Sequence, residues 1–462
     1  MTSKKTMLSL GLIFTLLAGC SEGPKMEPDT PTTLKVMFYS EGGFYQQYGL
    51  PFSALHPEIQ VEIVSTQGVQ NGEDETYDEA ILKLIEEKRP DVLVLNVAQY
   101  KQLSHEGRLL DLETRAAKDG FDLSGISPGI LEYIRGLSDG KLQGLSPGYF
   151  TQALFYNKDL FQKYGVPFPE DRMSWESLLQ LAARFPTDGE PDERVYGLKP
   201  AFVSDLNGLA GKIGGAMGLS YFSGSDMKMT ANSESWKKVV EMADQALKSG
   251  SLYTGSNSVS FETYEEYLLQ DAFISGKAAM TIDSTYLISQ IEEAQSVVKE
   301  KVVQNWDVVT VPVDPNNPGY TDLASVNEIL AIDAQSPNIE AAWKFLRYVN
   351  GDDYARVTSK ADLGLSSRPK YFSDEEGHNL QAFYALTPRE ETVYKDYGKL
   401  PNESFSQLLS LIMAEMSEAE QGEKTVSEAL EDIQNKGQLI LDGKGGPPSE
   451  TGGSGLMIAP RS

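Results

Sequence analysis

The sequence predicts an α/β fold in two lobes, on three observations. Short apolar strands alternate with amphipathic helices along most of the chain, which is βαβ logic and implies a mainly parallel sheet covered on both faces. Hydrophobic residues make up 40% of the chain and aromatics 10%, ample for packed cores despite a formal net charge of −27. At 462 residues the chain exceeds what one core ordinarily supports, so two domains are expected.

At the N-terminus, Lys4 and Lys5 precede the apolar run Met7 to Leu17, which ends in Leu17-Ala18-Gly19-Cys20. A charged n-region, an apolar h-region and a small-residue cleavage site describe a secretory signal peptide, expected over residues 1–19. The run falls short of the roughly 20 residues a membrane span needs. Cys20 is the only cysteine, so no disulfide forms within the chain, and its position resembles the lipobox of bacterial lipoproteins. Cys20 is therefore the expected lipidation site, and residues 20–33, rich in proline, the expected flexible tether. At the other end, residues 442–462 are rich in Gly, Pro and Ser and are expected to be disordered.

Between these termini, Leu34 to Tyr39 and Val61 to Ser65 read as strands. Tyr77 to Arg89 puts Ile81, Leu84 and Ile85 on one helical face, Pro90 stops that helix, and Asp91 to Asn96 reads as a buried strand. Further on, Ser174 can cap a helix carrying Leu178, Leu181, Ala182 and Phe185. Thr263 to Ser275 is expected to be helical with Gly276 as its stop, followed by a strand over Ala278 to Ile282. Ile339, Ala342, Trp343 and Leu346 form another helical stripe, and Thr425-Val426-Ser427-Glu428 is a capping box.

Several chemistries are disfavoured. The acidic surface repels phosphate backbones, so nucleic acid is not an expected partner. Gly125-Ile126-Ser127-Pro128-Gly129 and Gly144-Leu145-Ser146-Pro147-Gly148 match the G-x-S-x-G elbow of serine hydrolases. The residue after that serine must donate a backbone N–H to the oxyanion hole, and proline has none. His56, His105 and His378 are the only histidines and have no metal-ligand spacing. Gly208 to Gly218 lacks the Lys-Ser/Thr of a phosphate loop and reads as a close-packed helix or a ligand-facing loop. Acidic pairs such as Glu265-Glu266 and Glu292-Glu293 read as solvated helix faces. No catalytic residue, metal or cofactor is expected.

An ordered set of motifs carries a family resemblance. Ala153-Leu154-Phe155-Tyr156-Asn157-Lys158-Asp159-Leu160-Phe161 is followed by Gly165-Val166-Pro167 and Ser174-Trp175-Glu176-Ser177-Leu178. Then come Phe273-Ile274-Ser275-Gly276-Lys277-Ala278-Ala279-Met280, Ala341-Ala342-Trp343-Lys344-Phe345-Leu346 and Ser366-Ser367-Arg368-Pro369. Over roughly Leu34 to Leu441 the chain resembles extracellular solute-binding proteins of family 1, the maltose-binding-protein type.

The resemblance implies a type II periplasmic-binding-protein fold: two α/β lobes joined by three crossovers, with solute in the cleft between them. Carried over, the crossovers fall near Ser146 to Phe150, Val311 to Asp314 and Ser366 to Lys370. Lobe 1 is then 34–146 plus 314–368, and lobe 2 is 147–313 plus 369–441. The implied function is a lipid-anchored substrate-binding subunit of an ABC importer on the outer face of the cell membrane. It would act as a monomer, delivering a solute, most often a carbohydrate in this family, to membrane permease subunits. A ligand-binding sensor for a membrane histidine kinase and an extracellular glycoside hydrolase are the alternatives.

Sugar recognition needs hydrogen-bonding side chains for hydroxyls and aromatic faces for the ring, on loops that follow strands. The candidates are Tyr39, Ser40, Glu41, Phe44, Asn96, Gln99, Tyr149, Asp283, Tyr286, Asn327 and Arg368. Tyr39 and Phe44 also have a core reading, Asn96 a helix-capping one, and Arg368 a role in bracing the third crossover. Leu323 to Glu328 departs from the glycine pair common in the family, so that loop is bulkier and more polar. Asn327 and Glu328 there either meet a differently shaped or partly cationic ligand or close the turn.

Overall fold

The computed structural model describes residues 32–72, 75–190, 194–200, 203–255, 261–359, 364–374 and 376–443. The expected signal peptide, Cys20, and nearly all of the tether and of the C-terminal tail lie outside the described residues. In chain order the strands begin with β1 (Thr32–Phe38), β2 (Ile59–Ser65), β3 (Val92–Leu95), β4 (Gly144–Leu145) and β5 (Gly148–Asn157). They continue with β6 (Phe222–Ser223), β7 (Lys228–Met229), β8 (Met280–Ser284), β9 (Trp306–Thr310) and β10 (Tyr320–Thr321). The last four are β11 (Ala324–Ser325), β12 (Ile329–Ile332), β13 (Leu365–Ser366) and β14 (Thr387–Pro388).

Two five-stranded sheets organise the molecule. The first runs β2-β1-β3-β12-β4, with β1 parallel to β2 and to β3, and β12 antiparallel to β3 and β4. The second is built on β5. Its inner residues, from Gln152 on, pair antiparallel with β8 and β9, while Gly148 to Thr151 pair antiparallel with β13 and β11. The expected mainly parallel sheet is thus not found: of the two large sheets, parallel pairing occurs in β1, β2 and β3 alone, and the short β10–β14 pair is also parallel. A strand buried on both faces, as β5 is from Thr151 to Asn157, reads as a continuous run whichever way its neighbours point, so period alone carries no direction.

Local chemistry sets the helix ends. Thr76 and Glu79 make a capping box ahead of helix Tyr77–Lys88, Ser174 caps Trp175–Ala182, and Thr425 with Glu428 caps Val426–Leu441. The helix expected over Thr263 to Ser275 is shorter, Tyr264–Leu269. Asp271 accepts hydrogen bonds from the backbone N–H groups of Phe273 (2.8 Å) and Ile274 (3.0 Å), an alternative to helical pairing that turns the chain. The following strand is β8, so Asp283 lies within it rather than in the loop after it. The glycine-rich stretch is helix Leu206–Ala216, where a Cβ on Gly214 would come within 2.5 Å of the Trp236 ring and one on Gly215 would clash with Asp322; these two glycines serve close packing.

One apolar core wraps the first sheet and includes Phe44, Phe52, Trp343 and Phe345; it continues onto one face of the second sheet through Ala153 and Phe155. The other face of the second sheet, through Leu154 and Tyr156, joins a core holding Phe161, Trp175, Trp236, Leu408 and Ile433. The fold is therefore α/β in two lobes, and β5 threads between their cores. No helix among the described residues is long and apolar enough to cross a membrane.

Candidate functional site

Where the two sheets meet, a cleft of about 640 Å³ opens, within the ordinary size range of a small-molecule site. From the first sheet's side it is lined by Gln46, Gln47 and Tyr48, by Tyr354, and by Asn327 and Glu328. Ser146 to Thr151 and Gly364 to Ser366 form its floor, and Ser284, Thr285 and Tyr286 face them from the second sheet.

The wall at Gln46 to Tyr48 has an unusual backbone. Tyr45–Gly49 is a π-helix between two short α-helical stretches, Glu41–Phe44 and Leu50–Leu55; single π turns of this kind are frequent at functional sites. Gly49 is required there, because a Cβ would lie 2.6 Å from the Tyr45 ring and 2.7 Å from the Phe44 ring. Tyr48 is buried among Phe38, Phe44, Phe345 and Tyr354. Its hydroxyl accepts from Gln47 Nε2 (2.8 Å) and donates to Glu328 Oε2 (2.9 Å).

Burial pushes the Glu328 carboxyl above its ordinary value of 4.5, while hydrogen bonds from Tyr48 and Gln47 pull it partly back. A carboxylate raised on folding contributes stability that is fully present below its unfolded value and lost as pH rises through its folded value. Glu328→Gln escapes that loss. Its melting temperature should exceed that of the unsubstituted chain at neutral pH, and the difference should vanish below pH 4.5; thermal melts across pH check this.

The floor is held by its own bonds. Ser146 Oγ donates to Gly148 O (2.6 Å), the Ser367 hydroxyl donates to Ser146 O, and Ser367 N donates to Pro147 O (2.9 Å). Tyr149 is buried and donates its hydroxyl to Phe383 O (3.0 Å), and Tyr384 donates to Ser366 O (2.9 Å). Tyr286, by contrast, is 55% exposed at the start of its helix, Tyr286–Val298.

Of the residues expected at the site, Tyr149, Tyr286 and Asn327 line the cleft. The others sit elsewhere. Tyr39 is exposed on the surface, and Glu41 is exposed in the first turn of its helix. Ser40 caps that helix by accepting from Gly43 N (3.1 Å). Phe44 is core, packed on Phe38 and Phe345. Asn96 and Gln99 form a capping box for helix Val97–His105, and both donate to Asp78 Oδ1 at 2.8 Å. Asp283 is largely buried near Lys199 and Asp271, and burial raises its carboxyl.

Arg368 is 3% exposed and braces the third crossover: Nε donates to Asn350 O (2.7 Å), Nη2 to Asp122 O (2.9 Å), and Nη1 pairs with Asp352 at 3.0 Å.

Sequence reading did not single out Gln46, Gln47, Tyr48 or Tyr354 for the cleft, and named Phe150 only as an end of the first crossover. The polar and aromatic run Tyr45-Gln46-Gln47-Tyr48 directly after the first post-strand loop was the available signal. Tyr354 lies on helix Asp352–Thr358, far along the chain from any strand end. Among the described residues no group of three or more His, Cys, Asp or Glu side chains could hold a metal ion.

Comparison with known proteins places this geometry. The family model described as bacterial extracellular solute-binding protein matches residues 29–356. The mannitol-binding protein of Pseudomonas aeruginosa is 25% identical over 330 residues, 65% of this chain and 71% of that one. The sn-glycerol-3-phosphate-binding periplasmic protein UgpB of Escherichia coli is 24% identical over 352 residues, 70% of this chain and 72% of that one. Among solved structures, the sugar-binding protein MalE of Xanthomonas citri superposes with a TM-score of 0.61 at 18% identity, covering 89% of this chain and 98% of that one. That likeness shows the two-lobed type II fold.

Proposed function

This chain belongs to the bacterial extracellular solute-binding protein family, whose members bind solutes and are not enzymes, and from that premise we propose that it is the lipid-anchored substrate-binding subunit of an ABC importer. Its solute is a carbohydrate or related polyol, delivered to membrane permease subunits. The observation that carries this reading is the cleft itself. Amide and hydroxyl groups from Gln46, Gln47, Asn327, Ser284 and Thr285 share one cavity with the rings of Tyr48, Tyr286 and Tyr354. Such a mixture suits a molecule with hydroxyls on its edges and C–H groups on its faces. The relatives named for mannitol and for sugar are consistent with it.

The proposed lobes are 34–146 plus 314–368 and 147–313 plus 369–441, with hinges where β4 gives way to β5, after β9, and after β13. The placement of β12 in the first sheet and of β8 and β9 in the second supports this division. A solute touching both Gln46 and Tyr286 contacts both lobes fully only when they close, so binding shifts the population towards the closed state. Cys20 would carry the lipid, and residues 20–33 would keep the receptor at high local concentration beside its permease.

A thermal-shift screen of the full chain against mono- and oligosaccharides, polyols, amino acids and polyamines tests the solute class. A ligand at about 100 times its dissociation constant adds roughly 2.7 kcal/mol. Stabilisation by sugars or polyols is expected; stabilisation by amino acids alone would remove the carbohydrate assignment.

A further inference from the structure

The inference here rests on the solute-binding reading of the cleft and concerns which solutes it admits. Glu328 is the one acidic or basic side chain among the described residues that line the cavity. It stands at the end of a directional chain, in which Gln47 Nε2 donates to the Tyr48 hydroxyl and that hydroxyl donates to Glu328 Oε2. A carboxylate offers about four lone-pair sites; Tyr48 and Gln47 satisfy part of that capacity, and the rest is available to a solute.

The surroundings fix this group in place. Tyr48 is 1% exposed, and its ring lies 5.5 Å from that of Tyr354, which also lines the cleft. Tyr354 in turn donates its hydroxyl to Gln47 O at 3.4 Å. A carboxylate held rigidly on a cleft wall receives a cation through charge-assisted hydrogen bonds. The chain's formal charge of −27 adds a field that draws cations and opposes anions.

We infer that Glu328, held by Tyr48 on the cleft wall beside the Tyr354 ring, is the specificity-determining group of the site: it selects amine-bearing polyhydroxylated solutes over their neutral counterparts and rejects phosphorylated ones. The relative named for sn-glycerol-3-phosphate binds an anion, which this wall would meet with like charge.

Calorimetric titration of the full chain tests the inference with matched probes: glucosamine mono- to trisaccharides, their N-acetylated forms, the corresponding glucose oligomers and sn-glycerol-3-phosphate. Free-amine probes are expected to bind at least about tenfold tighter than their N-acetylated forms, as hydrogen bonds to charged groups exceed neutral ones. The phosphate is expected not to bind. In Glu328→Gln, an isosteric change whose folding is checked by its melting curve, the tenfold preference should collapse to near unity. Neutral or N-acetylated sugars binding as tightly as free amines to the unsubstituted chain would overturn the inference and leave the carbohydrate reading standing. Binding of sn-glycerol-3-phosphate, or an unchanged ranking in Glu328→Gln, would overturn it as well. Failure of every sugar, amine-bearing or not, would remove both.

Discussion

Arg368→Leu should destabilise the chain by about 3 kcal/mol, the largest stability effect expected here of any single residue considered for the site. The guanidinium is almost wholly buried, stands 5.3 Å over the Phe121 ring, and satisfies the carbonyls of Asn350 and Asp122. Each carbonyl left without a donor costs about 1–3 kcal/mol. Asp352 adds little to that sum, because its carboxylate is nearly half exposed and keeps Lys370 at 2.7 Å. Urea unfolding measures the loss, with the first transition as the reading, since a two-lobed chain need not unfold in one step. Arg368→Lys keeps the charge but not the planar fork and should lose most of the same stability. A loss under about 1 kcal/mol in Arg368→Leu would show that the crossover does not depend on this clamp.

Tyr286→Ala should weaken solute binding by about thirtyfold, roughly 2 kcal/mol, the size of an interface hot spot, without changing the melting temperature of the ligand-free chain. The two halves of that expectation have one cause. Tyr286 is 55% exposed, so truncating it removes little from the folded core, yet it stands across the cleft from Gln46 to Tyr48 and would stack on a sugar face. Affinity within threefold of the original would take Tyr286 out of the site, and a fall in the ligand-free melting temperature would assign it a packing role instead.

Both residues were visible in the sequence, and they show how far sequence reading reached. Tyr286 was legible because it follows the strand that begins at the helix-to-strand junction Phe273 to Met280, and a residue after a strand end faces a cleft in this architecture. Arg368 stood in an equally telling motif, but an arginine before Pro369 reads the same whether its guanidinium meets solute or the carbonyls of Asn350 and Asp122. Asn96 divides in the same way: a side chain that can cap a helix usually does, and here it accepts from Gln99 N at 2.8 Å. Strands β1, β2, β3 and β8 and the helices Tyr77–Lys88, Trp175–Ala182, Ile339–Val349 and Val426–Leu441 followed from periodicity and capping residues.

The π-helical turn at Tyr45–Gly49 was not legible. It depends on a ring packing against Gly49, and that turn is what aims Gln46, Gln47 and Tyr48 at the cleft. Tyr354 reaches the same wall from helix Asp352–Thr358, a juxtaposition made by tertiary packing and not written in local pattern.

Small-angle X-ray scattering of the full chain, with and without a saturating solute identified by thermal shift, tests the central claim that solute is held by closing the two lobes over this cleft. The account predicts a smaller radius of gyration with solute, and in Tyr286→Ala the same contraction only at about thirtyfold higher solute concentration. A radius of gyration unchanged at saturation would contradict it.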